Sequence, residues 1–407
     1  MPWLRELFAA TCGLGEMARD VCSNIFGVDV MVSTTPIEPL PEVRREVTEA
    51  LRYGEALERT FERAANAVGG VEVRDFAIAG CAIRLRFAGS AAIAKMTPGI
   101  AHLAITAAEA PSLTPDLTPD LTIDIWDGAS TGVEVPPAPW RDDPNAYGAH
   151  GEVRGYDETR VSIAFNMFFD ALSFLDRDRD YAAFYVRDVA AIPFWETAAP
   201  LRVLLHWWLS GRGLHFTHAA MVGIEAGGAL LVGKGGSGKS TTALACLDSD
   251  LRYVSDDYCL LSGCLLSGAP EPRAYSLYSS AKIRPGNTHL PHLLPLAYNQ
   301  EREPDEKPFV LLHEHFPEKL APSLPVKAIL VPHVTGQPDT QIAPTKATAA
   351  LLALAPSTIF QLPGGDTAQF QEMAALVRAV PCYSIALGTD LAQIPRAIAT
   401  LLEQVVS

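Results

Sequence analysis

The sequence predicts an α/β fold whose first half is α+β. The main observation is an apolar run at residues 229–232, followed by a glycine-rich stretch and then by helix-compatible residues 241–247. This strand, loop and helix order is typical of α/β sheets. In the first half, residues 71–79 and 82–87 alternate between apolar and polar side chains, as the strands of a hairpin do. Together these patterns predict both strands and helices throughout the chain.

The length of the chain predicts two domains, or one domain with a large extension. A chain of 407 residues is too long for one ordinary core. Hydrophobic residues make up 48% of it and charged residues 19%, so the composition is that of a globular protein. We place the two domains at residues 1–210 and 211–407. No pattern in the first of them indicates a role.

The net charge of −15 argues against a nucleic-acid partner, since no basic stripe is present to neutralise phosphates. The N-terminus lacks the apolar core of a secretory signal, and nowhere do 18 apolar residues run together. The seven cysteines form no C-x-x-C pair, which fits a reducing compartment. We therefore expect a cytoplasmic protein without a transmembrane segment. The sequence does not indicate an oligomeric state.

The first half is predicted to begin with an amphipathic helix. Apolar residues recur at helical spacing over residues 41–68, and Gly69 ends the pattern. After the hairpin, further strands are expected at residues 121–126 and 161–165, and a helix at residues 200–209 joins the two halves. Core packing is the favoured use of both helices. Peripheral membrane contact stays as the alternative, through the first helix or through Trp207 and Trp208.

The second half is predicted to continue the alternation of strands and helices. Apolar runs predict strands at residues 251–255, 309–312 and 326–331. Helical patterns follow at residues 345–354, 366–380 and 394–406. Residues 285–308 are rich in proline and charge, and we interpret them either as a flap that binds the acceptor or as a plain surface insertion.

Residues 233–240 read GKGGSGKS and fit the phosphate-binding pattern G-x-x-x-x-G-K-[ST] at every fixed position. Glycines allow consecutive backbone N–H groups to turn toward one anion. The pattern predicts binding of ATP with Mg²⁺, in which Lys239 reaches the β- and γ-phosphates and Ser240 ligates the metal. The predicted nucleotide-binding residues are Gly233, Lys234, Gly235, Gly236, Ser237, Gly238, Lys239, Ser240 and Thr241.

An acidic pair, Asp256 and Asp257, follows the strand predicted at residues 251–255. Two carboxylates beside a triphosphate suit two tasks, because one can hold Mg²⁺ and the other can accept the proton of an attacking hydroxyl. The alternative interpretation is that the pair only opens a turn. Its position after the phosphate-binding pattern favours the chemical interpretation.

His218, the phosphate-binding pattern and the acidic pair together resemble the catalytic domain of the HPr kinase/phosphorylase family. The stretches 276–282, 380–383 and 387–390 resemble less studied relatives of that family. The resemblance covers residues 213 to 407. It implies a fold like that of phosphoenolpyruvate carboxykinase, with a mixed sheet flanked by helices around the phosphate loop.

The resemblance also implies roles for single residues. Asp256 would accept the proton of the substrate hydroxyl, Asp257 would lie by the metal, and His218 would stand close to the phosphates. The chain departs from the family at residues 282–286, which read KIRPG where the family has the pattern E-I-R-G with a metal-binding glutamate. A cation thus replaces a metal ligand, which puts a second metal and a reverse phosphorylase reaction in doubt. Lys282 and Arg284 could instead stabilise the transferring phosphoryl group, or they could be solvated loop charges.

These observations predict an ATP- and Mg²⁺-dependent kinase that phosphorylates a hydroxyl group. The resemblance makes a serine on a protein or peptide the first expectation for the acceptor. A small-molecule or lipid alcohol, for example of the sphingolipid type, is the second, and the two tryptophans are its only support. A nucleotide-gated regulator without phosphoryl transfer is the alternative outside the kinase class.

Overall fold

The structure is a computed structural model that describes residues 45–105, 119–156, 159–262, 271–284, 290–303, 306–359, 362–363 and 367–406. Within these residues, the first sheet is formed by β1 (Val71–Ile78), β2 (Cys81–Ala88), β3 (Leu121–Asp127), β4 (Val161–Asn166), β5 (Ala171–Asp176) and β6 (Tyr181–Val186). The remaining strands are β7 (His215–Thr217), β8 (Ala219–Ile224), β9 (Gly227–Val232), β10 (Arg252–Ser255), β11 (Cys259–Ser262), β12 (Arg273–Tyr275), β13 (Ser280–Lys282), β14 (Phe309–Leu311), β15 (Ser323–Val334), β16 (Gln341–Pro344) and β17 (Cys382–Leu387).

The α-helices lie before, between and after these strands. They are α1 (Val47–Ala67), α2 (Ile93–Met96), α3 (Gly128–Thr131), α4 (Phe194–Ala198), α5 (Arg202–Ser210), α6 (Lys239–Ala245), α7 (Leu312–His315), α8 (Ala347–Ile359), α9 (Thr367–Ala379) and α10 (Gln393–Val406). Among the described residues, no helix combines the length and the apolar character needed to cross a membrane.

The first sheet has the order β1-β2-β3-β6-β5-β4 and is mixed, because β3 runs parallel to both of its neighbours while the other pairs are antiparallel. Side chains alternate between its faces. Ile123 and Ile125 join one core, and Trp126 faces the other core together with α1. Gly54 of α1 lies against the Phe174 ring, where an added Cβ would stand 2.3 Å from Cζ. This glycine lets the helix approach the sheet closely.

In the part of the chain that the structure describes, the second sheet has nine strands, and helices cover both of its faces. Its path is β10-β8-β9-β15-β12-β11-β7, and β17 pairs with β15 and β16 beside this path. The long strand β15 pairs with β12 in an antiparallel manner and with β9 and β17 in a parallel manner, so the sheet branches there. Helices α6 and α10 cover one face and α8 and α9 cover the other. The fold is therefore mixed α+β, with mixed sheets flanked by helices.

The strongly patterned elements agree with the sequence. The predicted hairpin is confirmed as β1 and β2. The predicted joining helix is α5, which begins two residues later than expected. The first helix is α1; residues 41–44 of its predicted span lie outside the described residues. Parts of the predicted flap, residues 285–289 and 304–305, also lie outside them.

The two tryptophans of α5 are core residues, and the alternative of lipid contact through them is wrong. Trp207 is 6% exposed and Trp208 is fully buried. The indole N–H of Trp207 donates to the carbonyl of Pro363, and that of Trp208 donates to Asp180 at 2.8 Å. The lipid-acceptor alternative thereby loses its only support from the sequence.

Candidate functional site

The second sheet brings two strand ends to one edge. Strands β9 and β10 are both antiparallel to β8, which lies between them, so they run in the same direction and end at the same edge. The glycine-rich loop, residues 233–238, follows β9, and the acidic pair follows β10. His218 precedes β8 and lies at this edge too, because Ala219 pairs with Val232. The sheet topology thus assembles residues that are far apart in sequence.

The loop has the backbone that its glycines permit. Gly236 and Gly238 have φ of +83° and +107°, in the left-handed region that side chains disfavour. A Cβ on Gly238 would also stand 2.4 Å from Cδ1 of Leu387. Gly235 faces open space, and Lys234 is exposed. The loop is therefore compact where it meets the sheet and open toward solvent at its tip.

Lys239 begins α6 directly after the loop and is 6% exposed. Its ammonium donates to the carbonyl of Gly233, and it lies 3.4 Å from the carbonyl oxygen of Lys234. Burial lowers the pKa of Lys239, while Asp256 and Asp257 oppose this shift. The cation is thus held inside the curve of the loop, between the loop carbonyls and the acidic pair.

Asp256 is 1% exposed, and neither of its carboxylate oxygens has a hydrogen-bond partner among the described residues. Burial and the neighbouring Asp257 raise the pKa of Asp256, while the Ser240 hydroxyl and the Lys239 ammonium oppose the rise. Ser240 is therefore close to this carboxylate without meeting hydrogen-bond geometry. The Asp257 N–H also opposes the rise. A buried carboxylate without a well-formed hydrogen bond is costly, so these two oxygens are suited to receive a proton or a ligand.

Asp257 has the opposite surroundings. Its Oδ2 pairs with the Lys282 ammonium, and its Oδ1 lies 3.3 Å from Nε2 of His218. Burial alone would raise the pKa of Asp257, but Lys282 and His218 outweigh it and hold that pKa well below its usual range. Asp257 is therefore an ionised carboxylate between the Lys282 ammonium and the His218 ring.

Strand β13 carries Lys282 to this edge, and the chain continues toward the loop. A guanidinium nitrogen of Arg284 lies 3.8 Å from the position that a Cβ of Gly236 would occupy. Arg284 is exposed and makes no ion pair within the described part of the chain. Both cations predicted from residues 282–286 are thus beside the acidic pair or the loop.

Three residues near the acidic pair were not found from the sequence. The Tyr258 ring packs between His218 and Tyr278, with ring centroids 6.5 and 6.2 Å away. Glu196 and Arg202 form a buried ion pair of 3.1 Å on the first-half side, and the charge of Arg202 acts on Tyr258 and Asp257. Tyr258 could have been suspected because it follows the acidic pair. Glu196 and Arg202 carry no motif, so no signal pointed to them.

The side chains of the candidate site fit Mg²⁺ only if a bound ligand supplies further oxygen atoms. No group of three or more His, Cys, Asp or Glu side chains suited to a metal occurs among the residues that the structure describes. The Ser240 hydroxyl and the two unpartnered oxygens of Asp256 are hard oxygen donors, as Mg²⁺ prefers, and this ion usually completes its shell with water and phosphate oxygens. Asp257 could join them only by sharing its oxygens with Lys282 and His218.

Comparisons with known proteins find only a distant structural similarity. No protein-family model matches the sequence, and no curated protein matches it. Among solved structures it is similar to the Hpr(Ser) kinase/phosphatase from Coxiella burnetii, with 12% identity and a TM-score of 0.26. That alignment covers 47% of this chain and 95% of the other. At this level the likeness is coarse and establishes neither the family nor the activity.

Proposed function

We propose that this chain is a phosphotransferase that moves the γ-phosphoryl group of ATP to a hydroxyl group. The observation that carries the proposal is the Asp256 carboxylate, which is buried beside Lys239 and Ser240 and has no partner at full hydrogen-bond geometry among the described residues. A structural carboxylate would ordinarily be paired, because burying it alone is unfavourable. Its position between a glycine-rich loop and a buried lysine suits the transfer of a phosphoryl group from a nucleotide.

In the proposed reaction the acceptor O–H bond breaks and its proton moves to Asp256, whose raised pKa favours protonation. The acceptor oxygen bonds to the γ-phosphorus while the bond from that phosphorus to the bridging oxygen of ADP breaks. Lys239 and the loop bind the phosphates, and Arg284 and Lys282 lie where they can balance negative charge. His218 orients Asp257 through the 3.3 Å contact.

Mg²⁺ would be held by Ser240, by the nucleotide phosphates and by one carboxylate of the acidic pair, and it would neutralise the phosphate charge. We assign Asp257 to the metal and Asp256 to the proton. The unpartnered oxygens of Asp256 give a specific reason to consider the exchanged assignment. A Mg²⁺ titration of nucleotide binding separates the two. Asp257→Asn should raise the Mg²⁺ concentration for half-maximal binding, while Asp256→Asn should mainly lower kcat; the reverse pattern would exchange the roles.

The acceptor is proposed to be a serine hydroxyl on a protein or peptide, with a small-molecule or lipid alcohol as the competing class. The test is to incubate the purified chain with γ-labelled ATP, Mg²⁺ and an extract of the source organism. The products are then separated into protein, lipid and water-soluble fractions. Label in one fraction that disappears with Asp256→Asn supports the kinase and identifies the acceptor class. Nucleotide binding without label in any fraction would overturn the proposal in favour of a nucleotide-gated regulator.

A further inference from the structure

The segment Ser276–Arg284, called here the bridging segment, connects the first half of the chain with the candidate site. At its end, Lys282 pairs with Asp257, and Arg284 lies beside Gly236 of the loop. Lys282 ends strand β13, and Arg284 follows it two residues later. The placement of both cations therefore depends on how this segment is held.

The beginning of the bridging segment is bound to the first half by buried hydrogen bonds. Its residues Ser276, Tyr278, Ser279 and Ser280 are each at most 4% exposed. The bonds are Tyr278 hydroxyl to the Pro200 carbonyl at 3.0 Å, Ser280 hydroxyl to the Ala198 carbonyl at 2.5 Å, Ser279 N–H to the Gly99 carbonyl at 2.9 Å, and Ser276 hydroxyl with Nε2 of His102 at 2.8 Å. All four partners lie in the first half, whereas the end of the segment, Ser280–Lys282, also pairs with β14 of the second half.

Two of these carbonyls, those of Ala198 and Pro200, belong to residues 196–202, and this stretch is itself fixed. The Glu196 carboxylate pairs with Arg202 at 3.1 Å and accepts the N–H of Leu201 at 3.2 Å, which closes the stretch into a loop around Ala198 and Pro200. Leu201 has φ of +56°, a left-handed conformation that costs a leucine about 1–2 kcal/mol and persists only where the surroundings enforce it. The acceptor carbonyls are thus presented by a rigid element.

We propose that residues 196–202 are a positioning element of the transfer site, which holds the bridging segment so that Lys282 and Arg284 face Asp257 and the loop. This inference rests on the proposed function and assigns to the first half a part in it. Tyr278 is the positioning residue that the test addresses. Its hydroxyl bonds to Pro200, and its ring lies against Tyr258 beside the acidic pair. Phosphoryl transfer depends on placement, so a small shift of the two cations lowers the rate without removing any group that contacts the nucleotide.

The test compares Tyr278→Phe with Tyr53→Phe. Tyr53 is a matched control because it is also a buried tyrosine that donates to a proline carbonyl, that of Pro136 at 3.2 Å, but it lies on α1 in the first half. One readout is hydrogen exchange of the peptide that contains residues 280–284, measured without nucleotide. The other is the apparent kcat and KM for ATP, measured as label transferred from γ-labelled ATP to the extract fraction that becomes labelled in the test of the proposed function.

For Tyr278→Phe we expect exchange of the peptide to quicken about 5-fold and kcat to fall about 10-fold, with KM for ATP changed less than about 2-fold. For Tyr53→Phe we expect both readouts to match the wild type. Unchanged exchange and kcat in Tyr278→Phe, or equal losses in both variants, would overturn the inference. A wild-type protein that binds ATP but labels no fraction of the extract would instead overturn the proposed function, while the exchange measurement still decides whether the first half holds the segment.

Discussion

At the residue scale, the backbone conformation at Asp257 directs two neighbouring carboxylates into different surroundings. Asp257 has φ of +70°, in the left-handed region, so its side chain leaves the direction that the strand would give it. Asp256 points into a buried space near Ser240, and Asp257 points to Lys282 and His218. The backbone conformation of one residue therefore separates the two charges.

The two aspartates should affect the stability of the ligand-free protein in opposite directions. The pKa of Asp256 is raised by folding, so its ionised form disfavours the folded state once the pH exceeds about 3.9, the usual unfolded value. Asp256→Asn should therefore raise the melting temperature at pH 7.5. The corresponding increase in the free energy of unfolding is on the order of 1–3 kcal/mol. The gain should shrink toward pH 4.

Asp257→Asn should lower the melting temperature at pH 7.5. The pKa of Asp257 is depressed by folding, so its contribution is present above about pH 3.9 and is lost as the pH falls toward the folded pKa. Thermal melts of both variants from pH 7.5 to 4.5 check whether the two substitutions change the melting temperature in opposite directions. Destabilisation by both substitutions at pH 7.5 would contradict the environment described for Asp256.

Lys239→Ala should abolish phosphoryl transfer, with a loss of kcat of at least about 100-fold, because it removes the cation held inside the loop. Turnover of γ-labelled ATP and the far-ultraviolet circular dichroism spectrum check this together, and we expect the spectrum to stay that of the wild type. The exposed Lys346 gives a control, Lys346→Ala, expected to keep full turnover. An active Lys239→Ala protein would remove the assigned role.

At the element scale, the short strand β13 decides where the cations of the site lie. It pairs with β14, and Ile283 next to it donates its N–H to the carbonyl of Pro308. Sequence reasoning gave no strand here, since three residues are too few for a period to show. The strand forms because it pairs with β14, which is distant in sequence. The position of Lys282 could therefore be read only from the tertiary structure.

Lys282→Gln should shift the acidic limb of the pH–rate profile to higher pH. The Lys282 ammonium is the main group that depresses the pKa of Asp257, so its removal raises that pKa and Asp257 is protonated at a higher pH. The measurement is kcat/KM against pH. Lys327→Gln, which breaks the ion pair with Glu271 away from the site, is the matched control and should leave the limb in place. An unshifted limb in Lys282→Gln would show that Asp257 ionisation does not limit the reaction.

At the scale of the whole molecule, one hydrophobic core joins the two halves. It contains Phe184 and Trp208 from the first half and Leu260, Leu277 and Tyr278 from the second, all nearly or fully buried. A core that combines side chains from both halves makes each half depend on the other. The division into two domains at residue 210 remains a prediction.

A chain shortened to residues 211–407 should melt well below the full chain or aggregate. It would expose Phe216, Leu260 and Leu277, each of which contributes about 1.5–3 kcal/mol of burial. Thermal melts and binding of a hydrophobic dye to both chains check this. A shortened chain that melts at the temperature of the full one would show that the second half folds independently.

The sequence could predict the elements with a strong local pattern. The hairpin of β1 and β2, the helix α1 and the strand, loop and helix around residues 229–247 each have a period or a motif that local physics produces. Strands β5 and β6 were not predicted. Both are completely buried, so they show no alternation between polar and apolar side chains.

The sequence by itself determined the residues from which the candidate site is built, because the glycines, the lysine and the acidic pair have fixed spacings along the chain. Only the tertiary structure decided which contacts these groups make. Lys282 and His218 contact Asp257, whereas the oxygens of Asp256 have no partner at hydrogen-bond geometry among the described residues. Residues 196–202 pack behind the bridging segment. The physical reason is that spacing along a chain is a local property. Burial and ion pairing, in contrast, are properties of neighbours that a strand order brings together from distant parts of the sequence.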